Sequence, residues 1–415
     1  MRVKIFYLSY DGLLDPLGRS QVVPYLLKLS SSSIRLTVLS FEKPQPAQAV
    51  QQLRDRLTAS GIRWICLRYH LRPPILSTAW DIFAGLCAAT AHVFKDKPDI
   101  VHARSYVVAG IAIWLKAITG ARFLFDIRGF WPDEKVEGGF WIKDGWLYRM
   151  TKVLEKRFFR ASDAVVSLSD KGRQILKKQF QSWGIERPII VIPTCVDTDR
   201  FTPAPALTHS RTHTPRHLTL AYIGSVGSFY MLDAMRDFFN LFRQRVPDAR
   251  WLILTNRPDP SIEKTLNGLP EGTCEIRILQ HEQVPEALAQ VDATLCFIKP
   301  VFSKLACCPT KVGESLSCGI PVVITQGAGD CDGLAARERV GVVLTAFDQK
   351  GYEAAGEALL LLLADGEILA QRCRKTAKAY FDLDQGVRQY TLLYQSLMNK
   401  CQPKNDPATL QTRIL

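Results

Sequence analysis

Between Pro309 and Ile324 the sequence Pro-Thr-Lys-Val-Gly-Glu-Ser-Leu-Ser-Cys-Gly-Ile-Pro-Val-Val-Ile joins a basic helix start to a carboxylate one turn inside. Gly319 stops a helix from Lys311 to Cys318, Pro321 forbids its continuation, and the apolar run that follows reads as a strand. Amide N–H groups near Thr310, Lys311 and Val312, the positive end of the helix dipole and the Lys311 ammonium together suit a diphosphate. Glu314, further along the helix, can accept hydrogen bonds from a ribose diol. The same residue types also fit a solvated helix with an ordinary glutamate, because every helix start exposes amide groups.

Two glycine-containing loops and one polar strand end extend the set of candidates. Tyr222-Ile-Gly-Ser-Val-Gly-Ser-Phe-Tyr230 offers Gly224, Ser225, Gly227 and Ser228 after a strand, the place where α/β sheets bind ligands. Its Gly-x-x-Gly spacing is not the dinucleotide fingerprint. No Arg or Lys follows between Gly224 and Ala234, so Lys304 and Lys311 are the cations left to meet a diphosphate, helped by the N–H groups of Ser225 or Ser228. Near the start of the chain, Asp15 to Gln21 places Gly18 for close approach, Arg19, and Ser20 as a helix N-cap; a loop that only turns the chain is an equal reading. Phe125-Asp-Ile-Arg-Gly-Phe-Trp-Pro-Asp-Glu134 follows another strand. Asp126, Asp133 and Glu134 are candidate bases or hydroxyl ligands, or salt-bridge partners of Arg128, which cannot itself act as a base. His102 is a further strand-end residue, open to a site role or to a place in the core. Asp197-Thr-Asp199 and Asp330-Cys-Asp332 are formally Asp-x-Asp, yet without a histidine cluster no metal site is expected.

Positioning such groups takes parallel-sheet architecture. Strand-like runs at Val3 to Ser9, Ile34 to Phe41, Ile62 to Leu67, Ile100 to His102 and Phe123 to Ile127 alternate with helical stretches near Gln21 to Leu29, Ala47 to Ala59, Trp80 to Val93 and Tyr106 to Thr119. Ala164 to Leu168 and Ile189 to Ile192 complete a first domain over residues 1–203. A proline-rich polar linker, 204–217, follows. The second domain, 218–383, repeats the pattern with strands at Leu218 to Ile223, Trp251 to Leu254, Glu275 to Leu279, Ala293 to Phe297 and Pro321 to Ile324. A last helix at about Gln385 to Met398, within 384–399, precedes a polar tail, 400–415.

The 415 residues, 47% of them hydrophobic, suffice for two cores and exclude a disordered chain. No uninterrupted apolar stretch of membrane-spanning length is expected: Lys116 breaks Val107 to Ile118, and Phe83 to Phe94 is short. The first residues read as a buried strand rather than a signal sequence. Eleven cysteines without a Cys-x-x-Cys pair agree with a cytoplasmic protein, Cys307 and Cys308 reading as packed thiols. Basic charge is concentrated in the first 200 residues, with 30 Lys and Arg against 18 Asp and Glu; the rest of the chain, 23 against 22, is near neutral. Arg149, Lys152, Lys156, Arg157, Arg160, Lys171, Arg173, Lys177 and Lys178, interleaved with Trp146, Tyr148, Phe158 and Phe159, suit an anionic leaflet or a plain solvated face. Nucleic acid is disfavoured because no recognition motif accompanies the charge.

The longer pattern Ser303, Lys304, Ala306 and Pro309 to Glu314 resembles the donor motif of retaining glycosyltransferases of family 4, in the branch that handles bacterial polysaccharides and lipid-linked glycans. The resemblance implies the GT-B fold: α/β, two facing Rossmann-like doubly wound domains, with a C-terminal helix crossing back to the first. It implies a hexose-type sugar moved from a nucleotide diphosphate sugar, UDP foremost, to a glycan or lipid-linked acceptor, with no metal or other cofactor. In this frame Glu314 holds the donor ribose, and Gly224, Ser225, Gly227, Ser228, Lys304, Thr310 and Lys311 bind the rest of the donor. Arg128, Asp126 and Lys304 stand at the catalytic positions, and Gly18, Arg19, Ser20, His102, Asp133 and Glu134 border the acceptor. Three departures are plain: Ala306 replaces the first Glu of the family's pair, Arg128 stands where relatives often have His, and the Arg and Lys that many members carry just after the glycine loop are missing between Gly224 and Ala234. A GT-B sugar-nucleotide epimerase and a non-catalytic nucleotide-sugar-binding subunit are the alternative readings.

Overall fold

A computed structural model describes residues 2–31, 33–203 and 217–399. The expected linker, but for His217, and the polar tail lie outside the described residues. The chain divides into two compact units, one reaching to Pro193 and resuming at Leu383, the other Thr194–Asp382. The segment from Thr194 to Pro203, expected to close the first domain, clusters with the second. The Val196 N–H donates to Phe381 O at 2.7 Å, Thr198 donates to Asp382 at 2.7 Å, and Phe201 is buried in the second core.

In the first unit seven parallel strands form one sheet: β1 (Val3–Ser9), β2 (Ile34–Glu42), β3 (Arg63–Arg68), β4 (Ile100–Arg104), β5 (Arg122–Asp126), β6 (Ala164–Ser167) and β7 (Ile189–Val191). Their order is β3-β2-β1-β4-β5-β6-β7. The helices are α1 (Pro16–Gln21), α2 (Val23–Leu29), α3 (Ala47–Ala59), α4 (Pro74–Val93), α5 (Ala109–Thr119), α6 (Trp131–Glu137), α7 (Trp146–Ala161) and α8 (Asp170–Trp183). Strands such as β4 are buried on both faces, which is why they read as continuous apolar runs. Helix α4 begins six residues earlier than expected, because Pro74 occupies its first turn, where a missing N–H costs nothing. By length and composition its 20 residues suffice to cross a bilayer, a span longer than the sequence reading gave this helix, although Asp81 interrupts the apolar run as the expectation of no uninterrupted stretch required. The helix nevertheless packs within the unit through Ser77, Asp81, Gly85 and Ala89, spaced one turn apart.

The second unit carries six parallel strands: β8 (Thr219–Ile223), β9 (Arg250–Thr255), β10 (Cys274–Ile278), β11 (Ala293–Cys296), β12 (Val322–Thr325) and β13 (Gly341–Leu344), ordered β10-β9-β8-β11-β12-β13. Between them run α9 (Leu232–Arg245), α10 (Pro260–Leu266), α11 (Val284–Leu288), α12 (Thr310–Ser317) and α13 (Cys331–Arg337), with α14 (Gln349–Leu363) and α15 (Gly366–Tyr380) after β13. Strand β13 is missing from the sequence reading. Both sheets thus reverse direction of growth beside their first strand, between β1 and β4 and between β8 and β11, the points where doubly wound sheets bind ligands. The final helix, α16 (Leu383–Met398), belongs to the first unit and packs on α2. Lys28 meets Asp384 at 2.6 Å, and Tyr25 stacks edge-on against Tyr390.

Candidate functional site

In the second unit the expected donor residues converge at the switch point. Gly224 ends β8 with φ +113°, a backbone geometry glycine adopts freely, and a Cβ there would stand 3.4 Å from the Lys311 ammonium. Tyr230 N–H closes the loop onto Gly227 O at 3.1 Å, and Lys299 N–H ties it to the segment after β11 through Phe229 O at 2.9 Å. Ser225 O accepts from the Tyr222 hydroxyl at 2.8 Å. Gly227 and Ser228 complete the same loop.

Lys311, in the first turn of α12, is the most unusual group here. Its side chain is buried, with Nζ 3.6 Å from the ring centre of Tyr230 and 4.1 Å from that of Tyr222. Among the described residues the ammonium has no hydrogen-bond partner. Burial drags its pKa down to about 8, against the pull of Cys296 and of the Glu314 carboxylate, which favour the charge. Aromatic faces offset part of the lost hydration but supply no acceptor. Glu314, three residues on and so on the same helix face, is also buried. One of its oxygens lies 2.7 Å from His281 Nε2. His281 is held by Arg200, which donates to its carbonyl at 2.8 Å. Sequence reasoning missed His281, which lies 33 residues from Glu314 in an unremarked short 3₁₀ turn. Thr310 opens α12 as expected, whereas the Val312 N–H is already used, donating to Pro309 O at 3.1 Å.

Lys304 lies on the 3₁₀ turn Phe302–Ala306, its ammonium 3.7 Å from the ring centre of Phe229, and its carbonyl accepts the Gly329 N–H at 2.9 Å. Ala306, at the position of the family's first glutamate, is fully buried. A cavity of about 290 Å³ opens alongside, lined by Pro300, Val301, Leu305, Gln326, Gly327 and Thr345 among others. Asp332 spends both carboxylate oxygens on Gly327 and Gly333 N–H groups, so it shapes the loop after β12. Asp197 likewise accepts from the N–H groups of Asp199 and Arg200. Among the described residues no group of three His, Cys, Asp or Glu side chains is placed to hold a metal ion. The Cys331 thiol is pushed far up by its hydrogen bond with Cys308 and by burial, as suits packed thiols.

The first unit arranges its candidates differently. Asp126, at the end of β5, and His102, in the middle of β4 rather than at the strand end expected of it, are buried and fasten α16 to the sheet: Tyr390 donates to Asp126 at 3.0 Å, and the Tyr394 hydroxyl lies 2.7 Å from His102 Nδ1. Burial opposes the Asp126 charge, yet Arg128, at 3.6 Å, and His102 hold its pKa below the ordinary value. Burial also lowers that of His102. Arg128 takes φ +57°, uncommon for a side chain of this size, and is held ionised chiefly by Asp126, against the effect of burial. Arg128 and Arg104 both donate to the Gln21 side-chain oxygen, at 2.9 and 3.2 Å, and Arg104 also pairs with Asp11. The sequence reading had singled out neither Gln21 nor Arg104.

Asp133 joins α6 to α7 by accepting from Tyr148 at 2.8 Å and from Lys152 at 3.2 Å, and Glu134 follows it in the first turn of α6. Ser20 is not the N-cap expected of it. It lies inside α1 and donates back to Pro16 O at 2.8 Å, Asp15 occupying the cap position. Gly18 is also helical; a Cβ would meet Gly12 O at 2.0 Å, so its bareness admits the chain's own backbone. Arg19 donates to Leu14 O at 3.0 Å.

Two doubly wound parallel domains with the final helix returned to the first define the GT-B fold. Solved structures agree over nearly the whole chain. Sucrose-phosphate synthase (tll1590) from Thermosynechococcus elongatus superposes with a TM-score of 0.74 at 14% identity, covering 96% of this chain and 100% of that one. Anabaena Alr3699/HepE in complex with UDP and glucose gives 0.65 at 13%, over 95% and 100%. WaaG, a glycosyltransferase involved in lipopolysaccharide biosynthesis, gives 0.64 at 14%, over 95% and 100%. No curated protein sequence matches the chain. Residues 26–200 match the model of Glycosyltransferase Family 4.

Proposed function

We propose that this chain is a retaining glycosyltransferase that moves a hexose from a UDP-sugar to a glycan or lipid-linked acceptor on the cytoplasmic face of a membrane, without a metal. The observation that carries this reading is Lys311: a buried ammonium without an acceptor among the described residues, beneath a glycine loop and at a helix start, is a place kept for an anion. The similar Anabaena protein was solved with UDP and glucose, which favours UDP as the nucleotide. Glu314, oriented by His281, accepts the ribose hydroxyls. Lys311 and Lys304 stabilise the departing diphosphate while positive charge builds at the anomeric carbon, the interaction that most lowers such a barrier. The acceptor hydroxyl attacks on the face the diphosphate leaves, and a phosphate oxygen takes its proton, so no carboxylate pair is needed. Arg128, permanently charged, binds an acceptor phosphate, and Asp126 holds Arg128 in place.

Calorimetric titration with UDP and GDP, without and then with magnesium, tests this reading. Micromolar UDP binding that needs no metal, with slow hydrolysis of a UDP-sugar, is the expected result. Absence of binding to either nucleotide overturns it, and UDP-sugar binding without any hydrolysis favours a non-catalytic subunit.

A further inference from the structure

Helices α4, α5 and α7 pack side by side in the first unit, α5 touching both neighbours. The Trp114 indole donates to Thr90 at 3.1 Å, and Lys116 donates to Ala161 O at 2.8 Å. On α4 the usual amphipathic arrangement is inverted. Small or polar Ser77, Asp81, Gly85 and Ala89 face inward, and a Cβ on Gly85 would clash with Ile111 and Phe41. Ile75, Leu76, Trp80 and Phe83 are each more than half exposed. The neighbouring helices continue the pattern with Trp114 and Ile118 on α5 and Trp146, Met150 and Val153 on α7. Each helix therefore shows one exposed tryptophan, at 56%, 49% and 65%.

Charge on the three helices is one-sided. Their only carboxylates, Asp81 and Glu155, are buried. Asp81 accepts from the Tyr10 hydroxyl at 3.0 Å and from the His70 N–H at 3.1 Å, and Glu155 from the Tyr106 hydroxyl at 2.9 Å. Arg149, Arg157 and Arg160 are exposed on α7, while Arg68 and Arg72 precede α4 and Lys95 and Lys97 follow it, all exposed. The loop before α7 adds exposed Phe140 and Ile142, with Lys143 beside Asp144. A surface of large apolar side chains and cations, whose three helices carry no outward carboxylate and whose flanking loop offsets exposed Asp144 with Lys143, matches an anionic bilayer interface, where tryptophan is also favoured. A second copy would set the same cations against one another.

We infer that the α4–α5–α7 face is the membrane-docking surface of this protein, its apolar side chains entering the headgroup region of an anionic leaflet. This deepens the membrane part of the proposed function and moves the contact from the expected basic pair α7–α8 to an apolar face edged with cations. Phe158 and Phe159, once candidates for that contact, are core residues, and Lys152 is paired with Asp133 and Glu155.

The full chain would be co-sedimented with phosphatidylcholine vesicles with and without phosphatidylglycerol, beside Trp80→Glu/Phe83→Glu and Arg149→Glu/Arg157→Glu. Expected are binding that requires the anionic lipid and a loss of about tenfold or more in partitioning for each double variant, with melting temperature and UDP affinity unchanged. Parental vesicle binding by the α4 variant overturns the inference, as does a parental dimer that becomes monomeric in that variant while vesicle binding persists. UDP calorimetry on the same samples separates the two readings: lost nucleotide binding with intact docking removes the donor site alone.

Discussion

The two sheets end in polar clusters built on opposite terms. In the first domain, carboxylates and cations are spent on the chain itself. Asp126 holds Arg128 and Tyr390, Asp133 holds Tyr148 and Lys152, and Arg104 and Arg128 share Gln21. In the second, the ammonium of Lys311 is packed among rings and no acceptor among the described residues meets it. Buried charges paired within the chain fix a fold, even though Asp126 Oδ1 and His102 Nε2 have no hydrogen-bond partner among the described residues, whereas a buried charge without a counter-ion is tolerated where a ligand completes it. The contrast makes opposite demands on stability and binding.

Breaking the first cluster should have the largest effect. Asp126→Ala leaves the Arg128 charge without its main counter-ion and removes an anchor of α16. A loss of about 3 kcal/mol in unfolding free energy is expected in urea titration, with UDP affinity little changed; nucleotide binding that fails while the fold survives would blur the contrast.

Lys311→Met should do the reverse. UDP affinity should fall about tenfold or more, while stability at neutral pH rises by about 2 kcal/mol. Protonated Lys311 burdens the folded state fully below its folded pKa of about 8, and the burden is relieved as pH rises toward the ordinary 10.5. The stabilisation by Lys311→Met should therefore shrink over that interval. Parental UDP affinity should likewise weaken above pH 8, with proton uptake on binding that is detectable in buffers of different ionisation enthalpy.

The smallest effect is expected at His281. His281→Ala frees Glu314 to reorient, and a loss of UDP affinity of about threefold to tenfold is expected, consistent with one hydrogen bond of about 1 kcal/mol. A loss as large as that of Lys311→Met would make His281 a ligand in its own right.

Much of this could be read along the chain. Apolar runs punctuated by glycine and proline located twelve of the thirteen strands to within a few residues, and the Pro-Thr-Lys-x-Gly-Glu run pointed to α12. Strand β13 escaped because its four residues, Gly341–Leu344, follow Arg-Val without a turn signal. The start of α4 escaped because paired prolines read as a break where one of them opens a helix. Ser20 and Gly18 misled because a cap and a close approach depend on which atoms stand opposite, and those belong to Pro16 and Gly12.

Local periodicity and turn chemistry, which depend on neighbours a few residues apart, were sufficient to determine two parallel α/β domains, a helix start beside Lys311 and a basic first half. Tertiary structure alone decided that His281 supports Glu314, that Asp126 and His102 serve the last helix, and that α4 turns its large side chains outward. Each of those outcomes depends on residues brought together from distant parts of the chain, and burial, which sets whether a charge is paired or left waiting, is a property of the packed domain rather than of any segment.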